Sequence, residues 1–215
     1  LIKLRPNNIT DFQSGDLLSI IPEGSEKPRI YSIARIGDDI HLSVKKHDQG
    51  VCSVYLCNVQ KGDTITASLE RNESFHFVSN APSVWLIGNG TGIAPYLGMI
   101  EENKNSSLKL IWGGRTQSSF DLYKPYVEKA IEHGRMDAYE LALSREDDKN
   151  YVQDILAQKE NEIAEAFASG GVFMLCGSMA MQDSVLEVLS RITNTKLKRA
   201  LSSFQNNGQL LKDCY

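Results

Sequence analysis

A glycine-rich turn between an apolar run and a helix-like segment carries the clearest chemical signal in the sequence. Residues 84–87 are apolar and lead directly into Gly88-Asn89-Gly90-Thr91-Gly92-Ile93-Ala94-Pro95. Glycines spaced in this way let the backbone approach a bulky anion without interference from Cβ atoms, and the free N–H groups of a helix start favour negative charge. The turn therefore predicts a pyrophosphate ligand at Gly90, Thr91, Gly92 and Pro95. A turn that needs its glycines for geometry alone is the alternative.

The spacing of these glycines separates the turn from two common phosphate-binding motifs. It does not follow Gly-x-Gly-x-x-Gly, and no Lys-Ser or Lys-Thr pair follows Gly92 as it would in a P-loop. ATP hydrolysis therefore has little support in this sequence.

Two earlier segments carry a charge, an aromatic ring and hydroxyl groups. Arg29-Ile30-Tyr31-Ser32 can provide a charge for a pyrophosphate, a flat surface for a flavin ring and a hydrogen bond at N5. In a strand, residues 29 and 31 face one side and residue 32 faces the other. All three can therefore contact one flavin only if the strand bends near residue 31 or the edge of the ligand lies there. An ordinary strand with an exposed arginine is the alternative. Gly50-Val51-Cys52-Ser53 is typical of a turn into a short helix whose N–H groups, with the Ser53 hydroxyl, are available to an anion, and Cys52 is interpreted as a packing residue.

A hydroxyl and two cations follow the apolar segment 138–143. Ser144, Arg145 and Lys149 stand just past a predicted strand, where α/β sheets bind ligands. Two charge-assisted hydrogen bonds there, each contributing roughly 1.5–3 kcal/mol, would favour NADPH over NADH by roughly two to four orders of magnitude. The cluster therefore predicts a 2′-phosphate site.

Two kinds of periodicity divide the chain into two predicted domains. Residues 1–80 contain short alternating runs separated by Gly-Asp pairs at 15, 37 and 62, which predicts a small antiparallel β-barrel. Residues 81–215 alternate apolar strands with helices, which predicts a parallel sheet covered on both faces. The predicted strands are 84–87, 108–112, 138–143 and 172–175. One helix is predicted after Pro95, and two more are predicted over 120–132 and 151–167. The helix over 120–132 should have one apolar face, formed by Leu122, Tyr126, Val127, Ala130 and Ile131. The polar, proline-broken segment 79–83 marks the predicted boundary.

Composition restricts the classes of function. A net charge of −4 argues against a nucleic-acid surface. No apolar stretch approaches the roughly 20 residues that a membrane helix needs. The chain begins at Leu1 without a signal-peptide pattern, which suggests a piece of something longer. The four cysteines form no C-x-x-C pair and no metal-ligand cluster with the four histidines, so the sequence predicts no zinc or other metal and fits a reducing cytoplasm.

Six motifs occur in the order found in one family. They are the segments 29–32 and 50–53, the glycine turn, the segment 144–153, Cys176-Gly177-Ser178 and Asp213-Cys214-Tyr215. The chain thus resembles the ferredoxin-NADP reductase family from about Leu4 to Tyr215, and within it the FAD/NADPH module of diflavin reductases such as the sulfite reductase flavoprotein and cytochrome P450 reductase. The resemblance implies a Greek-key, FAD-binding β-barrel followed by a Rossmann-like, NADP-binding α/β domain.

The resemblance also implies roles for residues that bind the two cofactors. Arg29 would lie at the flavin pyrophosphate, Tyr31 against the ring and Ser32 near N5, with the segment 50–53 as a second phosphate clamp. Tyr151 and Gln153 would hold the adenine, and Arg115 would contact a further phosphate. Tyr151 as a mere helix start and Arg115 as a solvated loop residue are the alternatives.

Four residues would carry the reaction in this family: Ser32, Cys176, Asp213 and Tyr215. Cys176 would border the cleft and lie against the nicotinamide. Tyr215 would stack on the flavin and move aside for nicotinamide, and Asp213 would belong to the hydrogen-bond network near N5. A core cysteine and a free chain end are the alternatives.

The implied activity is that of an NADPH-dependent flavoprotein reductase with FAD and NADP(H) as cofactors. Hydride would pass from NADPH to FAD N5, and single electrons would then reach a flavodoxin-like FMN domain, a ferredoxin or a haem protein. FMN is an alternative to FAD because the adenine-side loop is short. The expected location is the cytoplasm, or the cytoplasmic face of a membrane if a longer protein is anchored there. The rival functions are a flavin-free regulatory NADP(H)-binding module and the reductase arm of a haem or iron–sulfur oxygenase system.

Overall fold

The computed structural model describes residues 1–8, 11–22 and 25–215. In these residues the first part of the chain forms two antiparallel sheets, ordered β1-β5-β4 and β3-β2-β6. Its elements are β1 (Ile2–Leu4), β2 (Leu17–Ile20), β3 (Arg29–Ser32), β4 (Ala34–Ile36), β5 (Asp39–Leu42), α1 (Val51–Asn58) and β6 (Ala67–Glu70). We name this the antiparallel part. The predicted antiparallel pairing is confirmed, and the glycines of the three Gly-Asp pairs all have positive φ, which side chains rarely adopt.

A parallel sheet forms the remainder, which we name the parallel part. Its five strands lie in the order β11-β10-β7-β8-β9. They are β7 (Ser83–Asn89), β8 (Ser107–Gly114), β9 (Ala138–Leu143), β10 (Val172–Gly177) and β11 (Leu210–Cys214). On one face pack α2 (Ala94–Glu102) and α3 (Lys124–Glu132), and on the other α4 (Val152–Gln158), α5 (Glu160–Ala168), α6 (Met179–Ile192) and α7 (Leu201–Asn206). The strand order reverses between β7 and β10, and ligands bind at such a point outside the carboxyl ends of the strands.

The predicted strand 138–143 is confirmed without change, but two helix predictions are wrong in their bounds. The helix predicted from residue 120 begins at Lys124, because residues 117–123 form a 3-10 helix and turns. The helix predicted over 151–167 is divided at Lys159, which ends α4 and precedes α5. The predicted apolar face around α3 is also wrong in part, since Leu122 is 59% exposed and Ile131 is 37% exposed.

One hydrophobic core crosses from the antiparallel to the parallel part. Ala34 packs in the same cluster as residues of β7, β8 and α2. Gly98 of α2 permits the contact, because a Cβ there would lie 2.2 Å from Ser14 Oγ and 2.6 Å from Arg35 O. Ser14 Oγ also donates to Glu102 Oε1 at 2.7 Å. This close packing fixes where side chains of one part reach the other.

The strand pairings lie on either side of the predicted domain boundary. Antiparallel pairs fall within residues 2–70 and parallel pairs within 83–214, and the boundary between residues 80 and 81 itself stays a prediction. Across the three described ranges, no helix combines the length and the apolar character that crossing a bilayer requires. The same ranges hold no group of three or more His, Cys, Asp or Glu residues suited to a metal ion.

Candidate functional site

The glycines of the turn after β7 serve different purposes. A Cβ at Gly88 or Gly92 would lie 2.8 or 2.2 Å from Cys176 O, so both glycines allow the turn to pack against β10. Gly90 instead has a φ of +54° and nothing within 4 Å of the position of a Cβ. The interpretation that all three glycines make room for an anion is therefore wrong for Gly88 and Gly92. Gly90 is the glycine that leaves room for a ligand.

Side chains at neighbouring strand ends brace this turn. Trp112 Nε1, near the end of β8, donates to Gly90 O at 3.0 Å. Asn89 Oδ1 accepts from Ser178 N at 2.9 Å, and Asn89 Nδ2 donates to Ser178 Oγ at 3.0 Å. Gly177 is required beside them, because its φ is +145° and a Cβ would lie 2.1 Å from Asn89 Oδ1. The carboxyl ends of β7, β8 and β10 thus form a braced rim.

A cleft of about 620 Å³ opens at this rim. Its volume lies within the roughly 300–1,000 Å³ that is usual for small-molecule sites. Gly92 and Pro95 are buried and do not line the cleft, so a pyrophosphate contact at these two residues stays a prediction. The residues predicted to bind a ligand that do line the cleft are Gly90, Thr91, Arg115, Ser144, Tyr151 and Gln153.

Three cations that the sequence predicts to bind a ligand lie in the loops that follow β8 and β9. Arg115, Arg145 and Lys149 are exposed, and within the described ranges none of them has a carboxylate at ion-pair distance. Arg145 N donates to Arg115 O at 2.9 Å, which places the two arginines on neighbouring backbone segments. Lys149 Nζ lies 5.3 Å from the centroid of the Tyr151 ring. Arg115 lines the cleft, whereas Arg145 and Lys149 lie outside its lining.

A second cluster joins the antiparallel part to the last strand. Ser32 Oγ donates to Asp213 Oδ2 at 2.6 Å, although the two residues are 181 positions apart. Asp213 is the register partner of Cys176 across β10 and β11. Ser32 is 7% exposed and Cys176 is fully buried. The structure therefore brings together three of the four residues predicted to be catalytic.

Burial governs the proton affinities in this cluster. It raises the pKa of Asp213, although hydrogen bonds from Ser32 and Asn72 oppose the shift. Burial, together with the charge of Asp213, raises the pKa of the Cys176 thiol well above its usual value. Cys176 is therefore a neutral thiol at neutral pH rather than a reactive thiolate. The expectation that this thiol borders an open cleft is wrong, because Cys176 packs into the core between β7 and β11.

Tyr215 is tied to the rim by its backbone. Its N–H donates to Gly177 O at 2.9 Å, and its carbonyl accepts from Met179 N at 3.3 Å. The Tyr215 hydroxyl lies 3.2 Å from Thr91 Oγ1. These contacts argue against a free chain end, while 62% of the residue remains exposed. An aromatic surface is therefore presented beside the glycine turn and the Ser32–Asp213 pair.

The segment 29–32 is an edge strand with an accessible cation. Arg29 is exposed and its Nη1 donates only to the neighbouring Pro28 O, at 3.0 Å, among the described residues. Tyr31 is half-buried, and burial raises its pKa. Ser32 is buried, in agreement with its position on the opposite face of the strand. Charge, ring and hydroxyl are thus all present, each in a different environment.

The turn at 50–53 fits its predicted role less well. Ser53 Oγ donates to Gly50 O at 3.0 Å and accepts from His47 N at 3.1 Å, and the residue is buried. The hydroxyl closes its own turn, so the prediction that it is available to an anion is wrong. Cys52 is 3% exposed and lies in the core, which confirms its interpretation as a packing residue. Val51 is 57% exposed at the start of α1.

Several residues that line the cleft are not predicted from the sequence. Trp112 and Asn89 line the cleft and are adjacent to or within glycine-rich segments. This adjacency is the sequence signal that could have identified them as cleft residues. Lys45 follows β5 and brings a cation of the antiparallel part into the cleft, close to where Ser43 Oγ lies 2.6 Å from Tyr123 OH. No local pattern marks Lys45, because its position depends on how β5 packs near the start of α3.

Comparison with known proteins gives consistent relatives. The family described as oxidoreductase NAD-binding domain matches residues 86–187. The chain is 32% identical to a nitric oxide synthase of Anopheles stephensi over 87% of its own length and 17% of the relative. It is 30% identical to the NADPH sulfite reductase flavoprotein alpha-component of Baumannia cicadellinicola subsp. Homalodisca coagulata, over 70% of this chain and 29% of the relative.

A third relative also matches most of this chain over a minor part of its own length. This is NADPH-dependent diflavin oxidoreductase 1 of Saccharomyces cerevisiae, which is 31% identical over 71% of this chain and 27% of the relative. The chain therefore spans between 17% and 29% of the length of these three relatives.

Proposed function

Because the chain belongs to the ferredoxin-NADP reductase family and is similar to the FAD/NADPH module of diflavin reductases, we propose that it is an NADPH-dependent flavoprotein reductase. The observation that carries the proposal is the 2.6 Å contact between Ser32 Oγ and Asp213 Oδ2 beside Cys176. It joins the segment proposed to meet the flavin to the strand end proposed to meet the nicotinamide.

The strand-end cleft has the chemistry that a dinucleotide phosphate requires. Gly90 leaves open space beside the turn, and Arg115 and Lys45 contribute positive charge. We assign the pyrophosphate to Gly90 and Thr91 and the adenine to Tyr151 and Gln153. The 2′-phosphate is assigned to Ser144, Arg145 and Lys149, with Arg115 beside them.

The flavin assignment rests on fewer groups. The Arg29 cation and the rings of Tyr31 and Tyr215 fit a flavin, whereas the Ser53 hydroxyl does not, because it is used inside its own turn. Backbone N–H groups near Val51 are the remaining candidates for the second phosphate clamp. FAD is the proposed cofactor, held by a Greek-key barrel over residues 1–80, with residues 81–215 holding the nucleotide.

The cofactors would supply the redox chemistry when bound, with hydride passing between nicotinamide and flavin N5 and single electrons leaving afterwards. The protein's own contribution is alignment and proton control. Ser32 Oγ holds Asp213 by donating to Oδ2, and the raised pKa of Asp213 favours a proton on that carboxyl. The buried thiol of Cys176 excludes water without adding charge, and Tyr215 would cover the flavin and move aside for nicotinamide.

The electron acceptor is proposed by class. Relatives include a nitric oxide synthase and diflavin reductases, so a flavodoxin-like FMN domain, a ferredoxin or a haem protein are the candidate acceptors. A flavin-free NADP(H)-binding module is the second candidate function, because Ser53 is not available to a flavin phosphate.

Released flavin separates the two functions. The protein is purified and denatured, and the supernatant is analysed by chromatography and absorbance. One FAD per chain is expected. A colourless protein that neither FAD nor FMN reconstitutes would contradict the reductase proposal and favour the flavin-free module.

Arg145→Ala tests the nucleotide assignment. Loss of one charged contact should lower kcat/KM for NADPH by about 10- to 150-fold, with little change for NADH, since only NADPH carries the 2′-phosphate. NADH serves as the control in the same variant. Equal losses with both nucleotides would mean that Arg145 supports the fold or the shared pyrophosphate.

A further inference from the structure

Two loops follow the neighbouring strands β8 and β9 at the edge of the cleft. The parallel ladder pairs Gly114 with Leu143 and continues beyond the strands. Ser144 N donates to Gly114 O at 3.0 Å, and Arg145 N donates to Arg115 O at 2.9 Å. Backbone pairing therefore sets Arg115 and Arg145 side by side. The next contact between the loops is made by a side chain.

Glu146 makes that contact with a backbone donor of the other loop. Its Oε1 accepts from Gln117 N at 2.5 Å. Gln117 opens a 3-10 helix over residues 117–119, and the first N–H groups of a helical turn have no partner within the turn. Thr116 precedes this turn without providing a side-chain cap. Glu146 thus supplies, from the neighbouring loop, the cap that Thr116 does not.

The loop that carries Glu146 is closed at its other end. Asn150 Oδ1 accepts from Leu143 N at 2.8 Å, and Asn150 N donates to Leu143 O at 3.3 Å. Residues 144–149 therefore leave the end of β9 and return to it. With its base fixed in this way, the loop holds the 3-10 helix over residues 117–119 through Glu146.

The same contact leaves both arginines available. Glu146 directly follows Arg145, yet throughout residues 1–8, 11–22 and 25–215 it forms no ion pair with Arg145 or Arg115. A carboxylate on either guanidinium would compete with a phosphate for the same pair of donors. Because Glu146 is directed at a backbone N–H instead, two guanidinium groups remain for one dianion.

We infer that Glu146 is a positioning residue for the 2′-phosphate of NADPH, because it fixes the loop of Arg115 against the loop of Arg145. The inference rests on the proposed function, which assigns the 2′-phosphate to this edge of the cleft. Glu146 itself does not touch the phosphate. Loss of its contact leaves the Arg115 loop held only by the backbone bonds at Gly114 and Arg115, weakens recognition of the 2′-phosphate and leaves the remainder of the nucleotide site unchanged.

Binding of two small probes to the holoprotein tests this inference by calorimetry. Adenosine 2′,5′-bisphosphate carries the 2′-phosphate, and adenosine 5′-monophosphate lacks it. Glu146→Ala should weaken the bisphosphate about 3- to 10-fold, the effect of one hydrogen bond, and leave the monophosphate unchanged. Glu146→Gln keeps an oxygen acceptor for Gln117 N–H and should bind both probes like the parent. Asp148→Ala, an exposed acid of the same loop, is the matched control and should not weaken either probe.

The outcomes are distinct. Unchanged bisphosphate affinity in Glu146→Ala, with faster amide exchange at Gln117 showing that the contact was lost, would overturn the inference. Tighter binding in both Glu146→Ala and Glu146→Gln would also overturn it, because Glu146 would then act only as a repelling charge. A parent protein that binds the two probes equally would instead contradict the proposed NADPH preference.

Discussion

Two carboxylates near the junction of the antiparallel and parallel parts, the buried Asp16 and the half-buried Asp213, have pKa values shifted in opposite directions. Burial alone would raise the pKa of Asp16, but hydrogen bonds from Asn72 N, His76 and Gln13 N together lower it. The three contacts measure 3.0, 2.7 and 2.9 Å. In Asp213 burial prevails over its hydrogen bonds, and the pKa is raised.

The difference shows that hydrogen-bond donors decide whether a carboxylate in this region serves a structural or a chemical role. An ionised carboxylate only accepts hydrogen bonds, so Asp16 with its donors is held as an anion that ties the segments around residues 13 and 72–76 together. Asp213 lies on the last strand with Ser32 Oγ at 2.6 Å and keeps a proton more readily. The first arrangement suits a structural anchor, and the second suits a group that exchanges a proton.

The largest expected effect is the loss of protein stability when Asp16 is replaced. Asp16→Ala leaves buried donors without an acceptor and should lower the free energy of unfolding by about 3–5 kcal/mol. Urea unfolding with an unchanged m-value is the measurement. Asp11→Ala removes an exposed acid that pairs with Arg71 and is the control, with an expected loss of at most about 1 kcal/mol. Equal losses of stability in the two variants would show that Asp16 is not a structural anchor.

Asp213→Asn should act on the reaction instead. If Asp213 holds a proton beside the flavin, the variant should slow flavin reduction by NADPH about 10²-fold in stopped-flow measurements. Its urea midpoint should not fall below that of the parent, since burial already disfavours the charge of Asp213. Ser32→Ala is a second test of Asp213, because it removes the hydrogen-bond donor that opposes the raised pKa of Asp213. Normal reduction rates in Asp213→Asn would return Asp213 to a structural role.

The smallest expected effect is the pH dependence of stability, and its sign differs between the two sites. The lowered pKa of folded Asp16 contributes stability above the usual carboxyl pKa of about 3.9, and this is lost as pH falls through the folded value. The raised pKa of folded Asp213 has the reverse effect, with stability present below the usual value and lost as pH rises through the folded one.

Urea titrations between acidic and neutral pH check these signs. Asp213→Asn should gain stability relative to the parent as pH rises, whereas Asp16→Asn should lose most at neutral pH and less in acid. Parallel pH curves for the two variants would show that the environments of Asp16 and Asp213 do not differ as described.

Local patterns were sufficient for two elements beside the cleft. The strand over 138–143 follows from an apolar run, and the turn at Gly90 follows from glycines placed between a strand and a helix. Periodicity and turn chemistry act between residues close in the chain, so they can be read from the sequence. The order of the motifs identified the family for the same reason, because each motif is a short segment.

Tertiary packing decided which groups in those motifs are available. Gly92 faces Cys176 O and Glu146 caps Gln117, and neither contact has a local signature. The Ser32–Asp213 bond spans 181 positions. Motifs specify residue types near a site, whereas the free donors, charges and proton affinities depend on burial and on long-range partners, which only the folded chain determines.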